Sequence, residues 1–335
     1  MSKQFKMYIC VLSSQSDPDD PPYDPSSYFT DHQWEHFIPH PINYKTEINQ
    51  LIKKRFDAFV NLCDGTPDDE LSGIGLVNYL EEVGVAFTGA GSSFFDPTRT
   101  EMKLAAINAG VPIPGSQIVH QIQDLDAFDS ELQFPILVKP PHGYASIGLT
   151  RDSRVDNFKA MKIQVEITIS KFGKALIEEF IEGREFTTLI AENPNDCNNP
   201  VTFQPVEFKF PPGENFKHFD LKWKEYENMS VHPVCERSIE QQLRELTKRQ
   251  FITMAGNGYA RCDFRMTEDE KLFLLEINPN CGIFYSPNEP GSADFILNND
   301  ILGHKGFLNL ILDGALKKAR NNKTDRTGIK IGDEF

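Results

Sequence analysis

Residues 258–282, Gly-Tyr-Ala-Arg-Cys-Asp-Phe-Arg-Met-Thr-Glu-Asp-Glu-Lys-Leu-Phe-Leu-Leu-Glu-Ile-Asn-Pro-Asn-Cys-Gly, decide how this chain is read. Two strand-like runs, 258–266 and 271–277, flank the polar turn 267–270, which is the signature of a hairpin. Alternation with period 2 puts Arg261 and Asp263 on one face, and Glu276 and Asn278 on one face. If those faces coincide, two carboxylates, an amide oxygen and a guanidinium converge. Hard oxygen ligands in that number suit Mg²⁺, which takes one or two carboxylates and completes its shell with substrate phosphates. A neighbouring arginine can steady charge on a transferring phosphoryl group or a tetrahedral oxyanion. The competing reading is a solvated pair of charged strand faces, so the rest of the chain has to decide.

Working outward, 236–255 has the stripe of an amphipathic helix in Ile239, Leu243, Leu246 and Phe251. Upstream, 7–12 and 56–62 read as buried strands, 71–83 as a helix ended by Gly84, and 85–89 as a third short strand. Residues 97–109 read as a helix with Asp96 as N-cap, Pro97 in its first turn and Gly110 at its end. Further strands are expected at 134–139, 175–181, 185–192 and 201–210, and an acidic loop at 13–27. The order strand, helix, strand at the start of the chain suggests an open α/β domain.

Two other stretches carry nucleotide chemistry if the hairpin does. Lys139 ends an apolar strand and is followed by the small-residue loop 140–148, which can lay backbone N–H groups along a triphosphate. An ordinary surface loop after an edge strand has the same composition. Glu178-Glu179-Phe180-Ile181 can offer a carboxylate and backbone groups to an adenine edge, and Glu185 can accept from ribose hydroxyls. The P-loop pattern is absent, and Gly73-Ile74-Gly75 and Gly89-Ala90-Gly91 both lack the third glycine of a dinucleotide fingerprint.

Bulk properties narrow the partners. The chain has 335 residues and a formal net charge of −15, with 39% apolar and 25% charged residues. That size suits two or three domains. The charge argues against general nucleic-acid binding and against anionic membrane surfaces. Six cysteines, at 10, 63, 197, 235, 262 and 281, form no C-x-x-C pair, so thiols in a reducing compartment are expected. No stretch approaches a membrane span or a signal h-region, which places the protein in the cytoplasm as an expectation.

The ordered set I-L-V-K-P with its loop, I-E-E-F-I-E-G-R-E-F, R-C-D-F and L-L-E-I-N-P-N-C-G resembles the ATP-grasp superfamily, and within it the D-alanine–D-alanine ligase-like branch. The resemblance runs over roughly 55–320, including 79–91 and 100–114. It implies an α/β class with α+β lobes: an ATP-grasp fold with an N-terminal Rossmann-like domain (1–97), a small lid domain (98–184) and a C-terminal domain (185–335). It also implies a reaction. A carboxylate attacks the γ-phosphate of ATP to give an acyl phosphate, and an amine displaces phosphate to give an amide. Lys103, Lys139 and Lys222 would hold the phosphates, and Ser146, Ile147 and Gly148 would cap them. Glu178 and Glu179, with the backbone of Phe180 or Ile181, would meet adenine, and Glu185 the ribose. Asp263, Glu276 and Asn278 would bind two Mg²⁺, with Mn²⁺ as a substitute, and Arg261 with the Gly282 N–H would form the oxyanion site. The partners implied are a small carboxylate and a small amine, and family members are often homodimers.

The departures fall at the substrates. The family's first-strand Ser-x-Glu is replaced by Ser13-Ser14-Gln15-Ser16-Asp17, its His-Gly by Asp64-Gly65 after Cys63, and its tyrosine after the γ-phosphate lysine by Trp223. Residues 283–294 replace the serine and leucine that grip the second substrate. Cys63 and Trp223 are expected to line a substrate pocket. The expected activity is a carboxylate–amine ligase acting on an amino acid and a second small metabolite, as in the mycosporine-type ligases. A true D-alanine–D-alanine ligase, a non-catalytic ATP-binding regulator and an ATP-grasp kinase are the alternatives.

Overall fold

The structure, a computed structural model, describes residues 6–14, 23–64, 73–128, 131–141, 148–218, 220–221 and 229–327, with the side chains of 322–327 excepted. Three sheets organise it. The first is parallel: β1 (Tyr8–Ser13) lies between β2 (Gln33–Phe37) and β3 (Ala58–Leu62). β1 and β3 are buried almost throughout, as parallel strands covered on both faces are, and their apolar runs made them legible. Helices α1 (Tyr44–Lys53) and α2 (Gly73–Val83) pack on this sheet through Ile48, Leu51, Leu76 and Leu80. Of the strand expected at 85–89 only a bridge between Phe59 and Phe87 forms.

The second sheet is antiparallel, in the order β4 (Ser116–Val119), β7 (Ala175–Glu179), β5 (Ile136–Lys139), β6 (Arg154–Val155). Val119, Ile136, Val138, Ala175 and Ile177 form its inner face against α4 (Phe158–Phe172), a helix capped by the Asn157 side chain. The alternate residues Leu137, Lys139, Leu176 and Glu178 therefore share the opposite face, with Leu137 paired to Glu178 and Lys139 to Leu176.

The third sheet runs β11 (Ser230–Pro233), β10 (Val206–Lys209), β8 (Arg184–Ala191), β12 (Tyr259–Met266), β13 (Leu272–Pro279), with β9 (Val201–Thr202) beside β8. The single strand expected at 201–210 is thus two, interrupted at 203–205, where Pro205 has no N–H for a ladder. Phe186, Ile190, Ala260, Cys262 and Phe264 bury one face against α5 (Arg237–Thr253) through Ile239, Leu243 and Phe251. On the other face, Leu189, Ala191 and Tyr259 pack with Ile296 of α6 (Ser292–Asn299) and Phe307 of α7 (Gly303–Thr327). Glu185, Thr187, Arg261, Asp263 and Arg265 continue that second face as a polar end.

Helix α3 (Arg99–Ala109) crosses α5 and β13. Its N-cap is Thr98 rather than Asp96: the Thr98 hydroxyl accepts from Glu101 N–H at 3.2 Å and the Glu101 carboxylate accepts from Thr98 N–H at 2.7 Å. A reciprocal Thr-x-x-Glu box satisfies two end donors at once, which a lone aspartate does not. The first and third sheets meet where Gly258, at φ +64°, brings its Cα against the Gly89 carbonyl, leaving no space for a Cβ. Among the described residues no helix is long and apolar enough to cross a membrane.

Candidate active site

The hairpin of β12 and β13 does bring its two charged faces together. Asp263 pairs with Glu276 and Arg261 with Asn278 across the ladder. The pairing depends on a bulge that simple alternation does not contain. Strict period 2 would place Glu276 on the same face as the buried Leu272 and Leu274. A register shift between Asp263 and Phe264 leaves Leu275 as the extra residue, so that Ile277 turns inward and Glu276 and Asn278 turn outward.

Around these residues cations and anions are interleaved. Arg261 grips Asp263 in a fork, Nε to Oδ1 at 3.0 Å and a terminal nitrogen to Oδ2 at 2.9 Å. The Asn278 amide donates to Asp263 Oδ2 at 3.1 Å and to Glu276 Oε1 at 3.4 Å. The Thr187 hydroxyl donates to Asp263 Oδ1 at 2.6 Å. Burial works against ionising Asp263, but Arg261, with help from Lys217 and Thr187, holds its pKa down to about 2. Asp263 is therefore ionised at neutral pH. No group of three His, Cys, Asp or Glu side chains that could hold a metal occurs among the described residues. Two carboxylates and one amide fit a divalent cation that draws the rest of its shell from phosphates and water, and a half-turn of the amide presents Asn278 Oδ1 to the same point.

The second cluster lies on the antiparallel sheet. Glu178, 1% exposed, takes Lys139 on one oxygen at 2.5 Å and Lys103 on the other at 2.6 Å. Lys103 reaches it from α3 and also donates to Pro114 O at 3.3 Å. Burial lowers the Lys139 pKa, with Glu178 opposing it. Burial also resists the Glu178 carboxylate, yet the two ammonium groups hold its pKa below the ordinary value. Glu178, expected at adenine, lies between the two lysine ammonium groups. Glu179 projects from the opposite face, where its carboxylate accepts from Gly115 N–H at 3.1 Å and Gln133 N–H at 2.8 Å. The Phe180 N–H goes to Pro135 O at 2.8 Å, so the backbone of Ile181 is the better candidate for a base edge.

Three residues that sequence reasoning passed over tie the clusters together. Arg99 donates to Pro140 O at 3.2 Å and to Glu276 Oε2 at 3.2 Å, joining α3, the start of the 140–148 loop and the carboxylate cluster. It stands one helical turn before Lys103, a spacing that shares a face and could have been read. Arg265 is next but one after Asp263, so alternation alone assigns it to the site face. It is 2% exposed, pairs with Glu185 at 3.2 Å, donates to Gly183 O and Asn215 O, and covers the Phe180 ring at 4.6 Å. Lys217 takes the other Glu185 oxygen at 3.1 Å, and had no sequence signal beyond its charge. Glu185, expected at ribose, is thus held between two cations.

Gly282 follows the hairpin directly, in the loop that leads to α6, and Gly148 is exposed beside Pro140 and Phe172. Ser146, Ile147, Lys222 and Trp223 lie outside the described residues. The Cys63 placement needs correcting. Its side chain is fully buried in the core shared with Cys10 and Leu76, and burial pushes the thiol pKa far up, so it faces no substrate. The end of β3 contributes instead the Cys63 carbonyl, which accepts from Asn280 at 3.2 Å.

Residues 111–286 match the family described as D-ala D-ala ligase C-terminus. The D-alanine–D-alanine ligase B of Chromobacterium violaceum is 28% identical over 242 residues, covering 70% of this chain and 74% of that protein. The D-alanine–D-alanine ligase of Mannheimia succiniciproducens is 27% identical over 267 residues, covering 76% and 80%. In fold, the chain is similar to the D-alanine–D-alanine ligase of Bacillus anthracis complexed with ATP, with TM-score 0.67 and 15% identity over 94% of this chain and 99% of that one. It is equally similar to the VanG D-Ala:D-Ser ligase of Enterococcus faecalis, with TM-score 0.67 and 12% identity over 93% and 100%. With the family match spanning more than half of its length and the ATP-grasp architecture around it, the chain belongs to the D-alanine–D-alanine ligase family and is an ATP-dependent ligase joining a carboxylate to an amine.

Proposed function

We propose that this ligase condenses an amino acid with another amino acid or with a small metabolite, through the residue roles that follow. Lys103 and Lys139 bind the ATP phosphates, with Glu178 fixing both ammonium groups in place. Lys222 reaches the γ-phosphate, and Ser146, Ile147 and Gly148 cover it. Ile181 and its neighbours in 178–181 meet the base, and Glu185 the ribose. Asp263, Glu276 and Asn278 would hold two Mg²⁺, or Mn²⁺ in their place. The metal, when bound, neutralises charge on the phosphoryl oxygens.

The first step makes a bond from a substrate carboxylate oxygen to the γ-phosphorus and releases ADP. Positioning and charge neutralisation are what such a transfer needs, and the lysines and arginines of the cleft provide both. In the second step the amine nitrogen attacks the acyl carbon, Arg261 and the Gly282 N–H receive the developing oxyanion, and the C–O bond to phosphate breaks as the nitrogen loses its proton. One oxyanion donor typically contributes about 10²–10³ in rate. The observation that carries this reading is the joint convergence of Arg261, Asp263, Glu276 and Asn278, linked through Arg99 to the loop next to Lys139. We also assign the divisions 1–97, 98–184 and 185–335 to the three lobes, a homodimeric assembly, a cytoplasmic location, and no nucleic-acid or membrane partner.

The relatives named for D-alanine keep a second reading in view, in which both substrates are D-alanine. Against it stand the substituted positions 13–17, 64 and 283–294. ADP and phosphate release with ATP and Mg²⁺, measured against pools of L- and D-amino acids with mass analysis of the products, separates the cases. A condensed product other than the D-alanine dipeptide supports the first reading. That dipeptide as the preferred product supports the second. A stable phosphorylated product indicates a kinase, and ATP binding with no pool-dependent turnover a regulator.

A further inference from the structure

Beyond Gly282 the chain presents an aromatic group that the roles above leave unused. Tyr285 is 7% exposed, and its hydroxyl lies 2.5 Å from the point a Cβ on Gly282 would occupy. The Cδ2–Cε2 edge of the ring lies 2.7 Å from the Cβ point of Gly291. Neither glycine has a positive φ, so neither is required by backbone conformation. What the two glycines supply is room for this ring.

The ring is also held with unusual thoroughness for a loop residue. Tyr23 stacks on it with centroids 4.6 Å apart at 25°, and the two hydroxyls are 3.5 Å apart. Tyr23 and Tyr285 form an antiparallel bridge, and Asp24 N–H donates to Phe284 O at 2.9 Å. The Tyr28 hydroxyl donates to Tyr285 O at 2.9 Å. Asp294, fully buried, accepts from Phe284 N–H at 2.9 Å and Tyr285 N–H at 3.3 Å. A third phenol, Tyr259, is 1% exposed and has a hydroxyl with no partner among the described residues. Burial, then Cys281 and Tyr285, raise its pKa, which puts it in electrostatic contact with the same loop.

We propose that Tyr285 is a specificity-determining residue of the condensation, its hydroxyl hydrogen-bonding one of the two condensing substrates beside the tetrahedral centre. The substrate so read carries a polar group, such as a carboxylate or hydroxyl, next to its reacting atom. The assignment rests on the ligase reading, in which Gly282 is an oxyanion donor. A site built to bond a substrate polar group discriminates strongly against substrates that lack it. Tyr23 supports the ring from behind and is a positioning residue.

The test uses the full chain, wild type and Tyr285→Phe, with each amino acid from the L- and D-pools that supports ADP release. Phenylalanine keeps the stack on Tyr23 and removes only the hydroxyl. The expected result is a loss on the order of tenfold or more in kcat/KM for one condensing substrate, with the KM for ATP within about twofold and the unfolding midpoint little changed. Tyr23→Phe keeps the stack but removes the partner of the Tyr285 hydroxyl, and is expected to lower kcat/KM for the same substrate by less than Tyr285→Phe does, with the KM for ATP within about twofold. Wild-type values for Tyr285→Phe with every accepted substrate, or an equal rise in the KM for ATP, overturn the proposal while leaving the ligase intact. No pool-dependent turnover by the wild type overturns the ligase reading, and this inference with it.

Discussion

At the scale of single residues, the site is a set of charges that cannot be removed one at a time without exposing the cost of the partner left behind. Glu178 is the clearest case, because it pairs with both the Lys103 and the Lys139 ammonium groups in a buried setting. Glu178→Gln leaves two cations facing a neutral amide. Breaking a buried ion pair from one side costs about 3–5 kcal/mol, so a clear fall in denaturation midpoint is expected, together with a raised KM for ATP. Unchanged stability in urea would show that Glu178 does not hold the lysines. Glu276→Gln behaves differently. Glu276 is only half-buried and its main partner is Arg99, so the variant is expected to fold normally while losing turnover. Full ADP release by folded Glu276→Gln would remove it from the metal site. Asp263 gives the site its pH signature. Its folded pKa, about 2, lies below the ordinary 3.8. Its contribution of about 2 kcal/mol is therefore complete above the ordinary value and lost as the pH falls through the folded one. Asp263→Asn is expected to flatten the acid limb of a stability-against-pH curve between those values, and an unchanged limb would contradict the assignment.

At the scale of elements, what the sequence made legible and what it hid have physical causes. The hairpin 258–277 was readable because both of its strands carry long alternating or apolar runs around a polar turn. Its bulge was not, because Leu274-Leu275-Glu276 fits either face until a partner strand fixes the register. Strand β2 and helix α4 were hidden for a related reason: Gln33–Phe37 has no fully buried residue, and α4 fully buries only Met161, Val165 and Thr168, so their patterns are faint. Helix α1 was readable, because Tyr44, Ile48, Leu51 and Ile52 form an apolar stripe at helical spacing. Helix α3 shows how a local signal carries function. Its capping box fixes the first turn, from which Arg99 reaches Glu276 and, one turn on, Lys103 reaches Glu178. Thr98→Ala is expected to cost about 1 kcal/mol and to raise the KM for ATP several-fold as that turn loosens. A stability loss of this size with an unaltered KM would mean that the first turn is held by its packing on α5 and β13 rather than by its cap.

At the scale of the whole molecule, the chain's net charge of −15 and the composition of its cleft point in opposite directions. Arg99, Lys103, Lys139, Lys217, Arg261 and Arg265 all gather around the two clusters, so positive charge is concentrated where an anionic nucleotide is needed although the molecule as a whole repels it. These cations also belong to different parts of the fold: Lys139 to the antiparallel sheet, Arg261 and Arg265 to the large sheet, Arg99 and Lys103 to α3. A nucleotide held by the cleft lysines, as proposed, would join the antiparallel sheet to α3 and the large sheet. Binding to the folded state alone stabilises by about 2.7 kcal/mol at a hundredfold excess over Kd, so ATP with Mg²⁺ is expected to raise the thermal midpoint by several degrees. Mg²⁺ alone is expected to do little, because two carboxylates and an amide leave most of its shell to water. In Glu276→Gln the part of the ATP-induced shift that depends on Mg²⁺ is expected to disappear while the metal-independent part remains. A large shift with Mg²⁺ alone would mean that the carboxylate cluster is a self-sufficient metal site, and that metal rather than nucleotide binds first.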